Sequence, residues 1–151
     1  MWTDFIIPVL ASLFATYGFT IVYNIRGKNA FLASLCGALA WTGYLLCKEV
    51  TSSLFVPFFV SGIAIALYSE LAALIFKTPS TVFLIPGIIP LVPGLTIFRT
   101  MESCLLGDIP AFAEGLVTTI KIGGAIVLGL TLMSSFFRLF RSGLYRVSQK
   151  T

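Results

Sequence analysis

Histidine and charged side chains are what this sequence lacks most. None of its 151 residues is histidine, which excludes histidine metal sites and the catalytic triads and proton relays that depend on an imidazole. Only ten residues are Lys or Arg, and six are Asp or Glu. A water-soluble domain of this length has too much surface for so few charges. A soluble globular fold, a disordered chain and a disulfide-stapled secreted module are therefore excluded.

Cysteine is also scarce, and its spacing points to no chemistry. Cys36 and Cys47 fall in one predicted helix, 11 residues apart, which corresponds to roughly 16 Å and is too far for a disulfide bond. No CxxC or zinc spacing, close carboxylate pair, nucleophile elbow or phosphate loop is present. We therefore predict no metal, no cofactor and no enzymatic activity.

Long apolar runs make up most of the remaining sequence. Hydrophobic residues are 58% of the chain, its mean hydropathy is +1.01, and a membrane helix needs about 20 mostly apolar residues. The sequence predicts an all-α, polytopic membrane helix bundle that forms one transmembrane domain over 1–151. The first run follows an acid, Asp4, and has no A-x-A site, so we expect a retained span rather than a signal peptide. The predicted spans are 5–23, 30–47, 54–76, 81–98 and 111–137.

The basic residues predict the orientation of these spans. Five spans place the first loop, the third loop and the tail 138–151 on one side, which then holds seven of the ten Lys and Arg residues. The positive-inside rule puts this side in the cytoplasm and the N-terminus outside. A membrane role accounts for the basic charge, so we predict no nucleic-acid partner. The basic tail should lie on the anionic leaflet, where each cation contributes about 1 kcal/mol. Four spans, with 81–98 re-entrant or fused to its neighbour, would scatter the cations over both sides.

Residues 79–94 carry the most distinctive pattern, PSTVFLIPGIIPLVPG. An interior proline lacks an N–H and clashes with the carbonyl four residues back, so a continuous helix through 85–94 is excluded. Interrupted backbone at membrane depth is tolerated where protein or a water-filled cavity satisfies its hydrogen bonds, and such helices form binding sites in transporters. The alternative is a proline kink that only shapes the bundle. The candidate pathway residues of this segment are Pro86, Gly87, Pro90, Pro93 and Gly94.

This segment resembles the signature of the threonine/serine exporter (ThrE) family. The chain is similar to the small, separate component of that family, which corresponds to the second membrane half of its long members. The resemblance implies a subunit of a secondary active exporter in the bacterial cytoplasmic membrane. It implies threonine and serine, or succinate-like dicarboxylates, as the exported solutes, without choosing between them. The implied partners are a larger ThrE-like membrane subunit and further copies of the chain itself.

An acidic residue within the third span is a further candidate. Glu70 lies six residues before the predicted inner end of the span at Phe76, roughly 9 Å deep. Acids at such depth usually face protein or water, so Glu70 is a candidate proton carrier. The alternative is an interfacial acid paired with Lys77, seven residues further along the same helix face.

Polar residues near the outer side complete the set of candidates. Glu114, Thr118 and Lys121 form one polar stripe on the fifth predicted span, which could attract the carboxylate of a solute. Alternatively, Lys121 snorkels to the outer surface with Glu114 as its ion-pair partner. Arg99, after the proline segment, could bind a carboxylate bidentately or simply mark the end of the fourth span.

Small residues recur at four-residue spacing and predict close helix packing. The spacing does not show whether they face sister helices or another subunit. The stripes are Ala30, Ser34, Ala38 and Thr42 in the second span, Gly62 and Ala66 in the third, and Gly115, Thr119 and Gly123 in the fifth.

Three functions compete at this point: a transport subunit, a membrane enzyme, and a structural or assembly subunit with no solute pathway of its own. The thin catalytic inventory disfavours the enzyme. The sequence shows no internal repeat, whereas transporter sites commonly lie between two related bundles, so a transport subunit would need another chain to complete its pathway. A polar cavity beside 86–94 would separate the transport subunit from the assembly subunit.

Overall fold

A computed structural model describes residues 2–148, with side chains for 3–140. The described part contains six α-helices and no strand, which confirms the all-α prediction. The helices are α1 (Trp2–Val22), α2 (Lys28–Val50), α3 (Phe55–Phe76), α4 (Thr81–Ile88), α5 (Gly94–Leu105) and α6 (Ile109–Ser148), with a short 3-10 turn over Ile89–Leu91 between α4 and α5.

Four of these helices, α1, α2, α3 and α6, are long and apolar enough to cross a membrane by themselves. α4 and α5 meet the same criterion only as a pair, and their axes bend by 50° at the break between them. By length and composition, the described part of the chain therefore has four helices that can cross a membrane, or five spans if the bent pair forms one. The second half of this pair ends at Leu105 rather than at the predicted residue 98.

The break has a local cause in the prolines. α4 continues through Pro86, but Pro90 lies in the 3-10 turn and Pro93 immediately precedes α5. Val92 is extended, with φ −60° and ψ 130°. Pro93, with φ −76° and ψ 56°, centres an inverse γ-turn in which the N–H of Gly94 donates to the carbonyl of Val92 at 2.7 Å. The prediction that no continuous helix runs through 85–94 is confirmed.

The buried face of α1 is polar, whereas its exposed face is apolar. Ser12, Thr16 and Thr20 lie four residues apart on α1 and are all buried, while Phe14 and Ile21 are each 69% exposed. Each buried hydroxyl donates to a backbone carbonyl of α1. This distribution suits a chain whose outer surface contacts lipid, because acyl chains do not drive apolar side chains inward.

α4 lies in the centre of the bundle, packed against α2 and α3. Phe83 is fully buried with Ala33 of α2 and Ala72 of α3. By contrast, α5 leaves the bundle after the bend and packs principally against α6. The proline break therefore separates an inner half-helix from an outer one.

α3 and α6 cross at glycine residues. A Cβ atom placed on Gly62 would lie 2.7 Å from the carbonyl oxygen of Ile126 and 3.4 Å from the Cα of Gly129. A Cβ on Gly129 would collide with the carbonyl oxygen of Phe59. The predicted close approach at Gly62 thus occurs between helices of the same chain.

Candidate functional site

A cleft between α5 and α6 is the candidate site. Its volume is about 450 Å³, within the range of small-molecule sites. Four polar residues of α5 recur at helical spacing and so share the face that lines the cleft, whereas Phe98, Met101 and Leu105 on the rest of α5 are exposed. The lining residues are Leu95, Thr96, Arg99, Thr100 and Ser103 from α5, and Ala111, Glu114, Gly115 and Thr118 from α6.

The two helices meet where Gly115 faces Thr100. A Cβ atom on Gly115 would overlap the Thr100 hydroxyl and lie 3.1 Å from the Thr100 Cβ. Thr100 is buried, and its hydroxyl donates to the carbonyl of Thr96 at 2.7 Å. Only a glycine lets α5 approach α6 this closely, so this contact sets the width of the cleft.

Arg99 and Glu114 place opposite charges in the cleft. Neither side chain forms a salt bridge or a hydrogen bond within the part of the chain that the structure describes. A guanidinium group can bind a carboxylate through two parallel hydrogen bonds, and a carboxylate can accept from an ammonium group. Because the two side chains line one cleft without pairing, both remain available to a ligand.

The hydroxyl groups of the cleft fall into two kinds. Thr100 and Ser103 donate to the backbone carbonyls of Thr96 and Arg99, at 2.7 and 3.1 Å. The hydroxyls of Thr96 and Thr118 have no hydrogen-bond partner among the described residues. Thr96 and Thr118 are therefore the two hydroxyls that can both donate to and accept from a ligand.

Three residues predicted by separate arguments come together here. Arg99 follows the proline segment, whereas Glu114 and Thr118 belong to the polar stripe of the last span, and all three line the same cleft. Lys121, the third member of that stripe, is exposed and does not line it. The alternative ion pair between Lys121 and Glu114 does not form in the described part of the chain.

The first two residues of the proline segment lie inside the bundle. Pro86 is among the fully buried side chains, and Gly87 is buried as well. A Cβ atom on Gly87 would lie 2.6 Å from the Sγ of Cys36 on α2. Gly87 thus lets α4 approach α2, and a pathway role for Pro86 and Gly87 stays a prediction.

The other three residues of the segment lie at the bend. Pro90 is half-buried in the 3-10 turn, Pro93 precedes α5, and Gly94 is exposed with no neighbouring atom within 4 Å of a Cβ placed on it. The lining of the α5–α6 cleft begins one residue later, at Leu95. Contact of these residues with a solute stays a prediction, whereas the bend they create directs α5 along α6.

Glu70 lies apart from this cleft. It is half-buried on α3 and forms no salt bridge with Lys77 within the described residues. Lys77 instead ends α3 in a left-handed conformation, with φ 51°. Tyr68, two residues before Glu70, donates from its hydroxyl to the carbonyl of Leu32 at 2.8 Å and holds α3 against α2. The ion-pair alternative for Glu70 is not observed, and its role in proton transfer remains a prediction.

The sequence-based prediction missed several cleft residues on α5. Thr96, Thr100 and Ser103 share one helix face with Arg99, and this spacing is visible in the sequence. The fourth predicted span ends at residue 98, so the prediction assigns Thr96 to a span but Arg99, Thr100 and Ser103 to a loop. In the described part of the chain, no group of three Cys, Asp or Glu side chains could hold a metal ion.

Comparison with known proteins agrees with this architecture. The family model described as Threonine/Serine exporter, ThrE, matches residues 8–136. No curated protein and no solved structure matches the chain. The match covers most of the chain, including the bent helix pair and the residues of the α5–α6 cleft. Together with the membrane-crossing helices, it makes the chain a membrane protein of a transport family. The chain belongs to the threonine/serine exporter ThrE family.

Proposed function

We propose that the chain is a subunit of a secondary active exporter that binds small amino acids, such as threonine and serine, in the α5–α6 cleft. The observation that carries this proposal is that Arg99 and Glu114 line one cleft and that neither pairs with another described side chain. A free amino acid presents a carboxylate to Arg99 and an ammonium group to Glu114. Hydrogen bonds between charged partners are about twice as strong as neutral ones.

The same pair of charges favours an amino acid over a dicarboxylate. The cleft contains one cationic and one anionic side chain. A succinate-like solute bound to Arg99 would bring its second carboxylate towards Glu114, where like charges repel. A zwitterion satisfies both side chains, so we propose export of amino acids rather than of succinate-like dicarboxylates.

The bend supports a position of the cleft in the outer half of the membrane. With the N-terminus outside and the C-terminus inside the bacterial cell, α4 begins at the inner side. The 11 residues from Thr81 to Leu91 then extend roughly 16 Å into a core of about 30 Å. α5 follows this segment, so we place the cleft near the outer exit of the solute pathway.

The single transmembrane domain and the basic tail remain part of the proposal. We propose that 1–151 forms one membrane unit whose tail, 138–151, lies on the cytoplasmic leaflet. Arg138 is exposed on α6, and the backbone of this helix continues to Ser148. Arg141, Arg146 and Lys150 lie outside the residues whose side chains are described.

A partner chain completes the pathway in this proposal. α5 packs principally against α6, so the rest of its surface is uncovered. Charged groups at membrane depth normally face protein or water, not lipid. We therefore propose that the larger ThrE-like subunit covers the cleft. An assembly subunit without its own pathway, the alternative, would export normally after both cleft charges are neutralised.

The decisive experiment neutralises the two charges separately. The full chain and its neighbouring membrane protein are expressed together, and export of labelled threonine, serine and succinate is measured for Arg99→Gln and Glu114→Gln. Each loss of a charged hydrogen bond should reduce amino-acid export by roughly ten- to a hundredfold. Glu114→Gln should also raise the ratio of succinate to threonine export, because the repulsion is removed.

Matched controls keep the result specific to the cleft. Glu102→Gln removes an exposed acid on α5 that does not line the cleft, and Arg26→Gln removes a cation between α1 and α2. Both controls should export at the unmodified rate. Unmodified export by the two cleft variants, at equal protein levels in the membrane, would refute the proposed site.

A further inference from the structure

The two free hydroxyls of the cleft suggest how a side chain is selected. Within the helices, Thr42, Thr119 and Thr131 each donate to the carbonyl four residues earlier, at 2.8 Å. This carbonyl is the usual acceptor for a threonine hydroxyl in a membrane helix. The hydroxyls of Thr96 and Thr118 make no such bond in the described part of the chain, although both residues line the cleft.

The position of Thr96 explains its free hydroxyl. α5 begins at Gly94, so Thr96 lies in the first turn, and the residue four positions earlier, Val92, is extended. The carbonyl of Val92 accepts from the N–H of Gly94 in the γ-turn instead. The proline break thus deprives Thr96 of its normal helix partner, and its hydroxyl has no partner among the described residues.

Thr118 lies on the opposite wall. It is half-buried on α6, one turn after Glu114. Its immediate neighbour, Thr119, donates to the carbonyl of Gly115 and does not line the cleft. The two adjacent threonines therefore differ: the hydroxyl of Thr119 donates to its own helix, whereas Thr118 lines the cleft and its hydroxyl has no partner among the described residues.

We propose that Thr96 and Thr118 determine specificity by hydrogen bonding the side-chain hydroxyl of the solute. This inference rests on the proposed function, in which Arg99 and Glu114 bind the carboxylate and the ammonium group. A hydroxyl can donate to one threonine and accept from the other. Valine has the shape of threonine without the hydroxyl, and its binding leaves the cleft hydroxyls unpaired, which is the basis of strong discrimination.

The test measures the ratio of threonine to valine export, and of serine to alanine export, by the full chain with its partner. The unmodified protein should prefer each hydroxy amino acid by about tenfold or more. Thr118→Val and Thr96→Val should each lower these ratios by about five- to tenfold, the effect of one hydrogen bond. Thr118→Ser keeps the hydroxyl and should keep the ratio.

Thr119→Val is the matched control, because it removes an equal side chain whose hydroxyl is already engaged. It should leave both ratios unchanged. Ratios that stay unmodified in Thr96→Val and Thr118→Val would overturn the proposal, as would equal export of threonine and valine by the unmodified protein. If Thr118→Val exports no solute, the ratio of threonine to valine export is compared between Thr118→Ala and Thr118→Ser. The ratio should be lower in Thr118→Ala, which lacks the hydroxyl, and equal ratios would overturn the proposal.

The outcome is distinguishable from failure of the proposed function. Arg99→Gln should reduce export of all four amino acids together, because the carboxylate is common to them. Variants at Thr96 and Thr118 should change the preference among them. Loss of export in Arg99→Gln with unaltered ratios in the threonine variants would keep the site and remove the specificity assignment.

Discussion

The contact between Gly115 and Thr100 offers a quantitative test of the cleft. In Gly115→Ala, the added Cβ overlaps the Thr100 hydroxyl and lies 3.1 Å from its Cβ and 3.3 Å from its Cγ2. Thr100 is buried and hydrogen bonded to Thr96, so it cannot simply rotate away. α5 must therefore move relative to α6, and its contact with α6 is its principal attachment to the bundle.

The free-energy change follows from two opposing effects. Replacing a helical glycine by alanine gains about 1 kcal/mol of helix propensity. Forcing an extra methyl group into a tight contact costs about 1–3 kcal/mol. Gly124→Ala gains the helix propensity without the cost of a tight contact, because no atom of the described residues lies within 4 Å of a Cβ placed on Gly124. Gly115→Ala should thus be less stable than Gly124→Ala by about 1–3 kcal/mol.

Two assays check this difference. Thermal unfolding of the full chain in detergent should rank Gly124→Ala above the unmodified protein and Gly115→Ala below Gly124→Ala. Export of threonine should fall about tenfold or more in Gly115→Ala, because small displacements of binding groups have large effects on rate. Thr100→Ala, which removes the nearest clashing atom, should partly restore export to Gly115→Ala.

A different result would show that the Gly115–Thr100 contact does not position α5. If Gly115→Ala is as stable as Gly124→Ala and exports threonine at the unmodified rate, α5 does not depend on this contact. The Gly115–Thr100 contact would then not set the width of the cleft, and the assignment of the cleft as the binding site would lose its geometric basis.

Three further predictions concern other parts of the molecule. Gly87→Ala should lower the stability by about 1–3 kcal/mol, because its Cβ would lie 2.6 Å from the Sγ of Cys36. Gly94→Ala should be neutral because its surroundings are open. Equal melting temperatures of these two variants would contradict the packing of α4 against α2. Glu70→Gln should flatten the pH dependence of export if Glu70 transfers protons, and an unaltered pH profile of export would assign it a structural role. Deletion of 142–151 should change the membrane orientation and the expression of the chain little and should leave the ratio of threonine to valine export unaltered, and a changed ratio would contradict an anchoring role.

Much of the fold followed from local properties of the sequence. Runs of about 20 apolar residues predict membrane helices because the backbone must satisfy its hydrogen bonds within each segment. The ends of α3 differ from the prediction by one residue, 55 instead of 54, and agree at 76. Prolines at 86, 90 and 93 predict a break for steric reasons that do not depend on the rest of the chain.

The candidate site followed from the sequence only in part. Arg99 was predicted separately from the polar stripe that contains Glu114 and Thr118, because charge and polarity within apolar segments are visible locally. Their common location was not predictable, since it depends on the direction that α5 takes after the break. Thr96 and Thr100 were missed because the fourth predicted span ends at residue 98, between them. Their common face on α5 is visible only when the helix continues to Leu105.

Apolar length and proline chemistry act over a few residues, so local patterns predict that this chain crosses a membrane, which segments form its helices and that one of them is broken. The tertiary structure alone decided that α4 enters the bundle while α5 lies along α6, and that Gly115 meets Thr100. That contact brings Arg99 and Glu114 to one cleft, where neither side chain has a partner within residues 3–140. Such an arrangement arises from packing between segments distant in the chain, which no local pattern encodes.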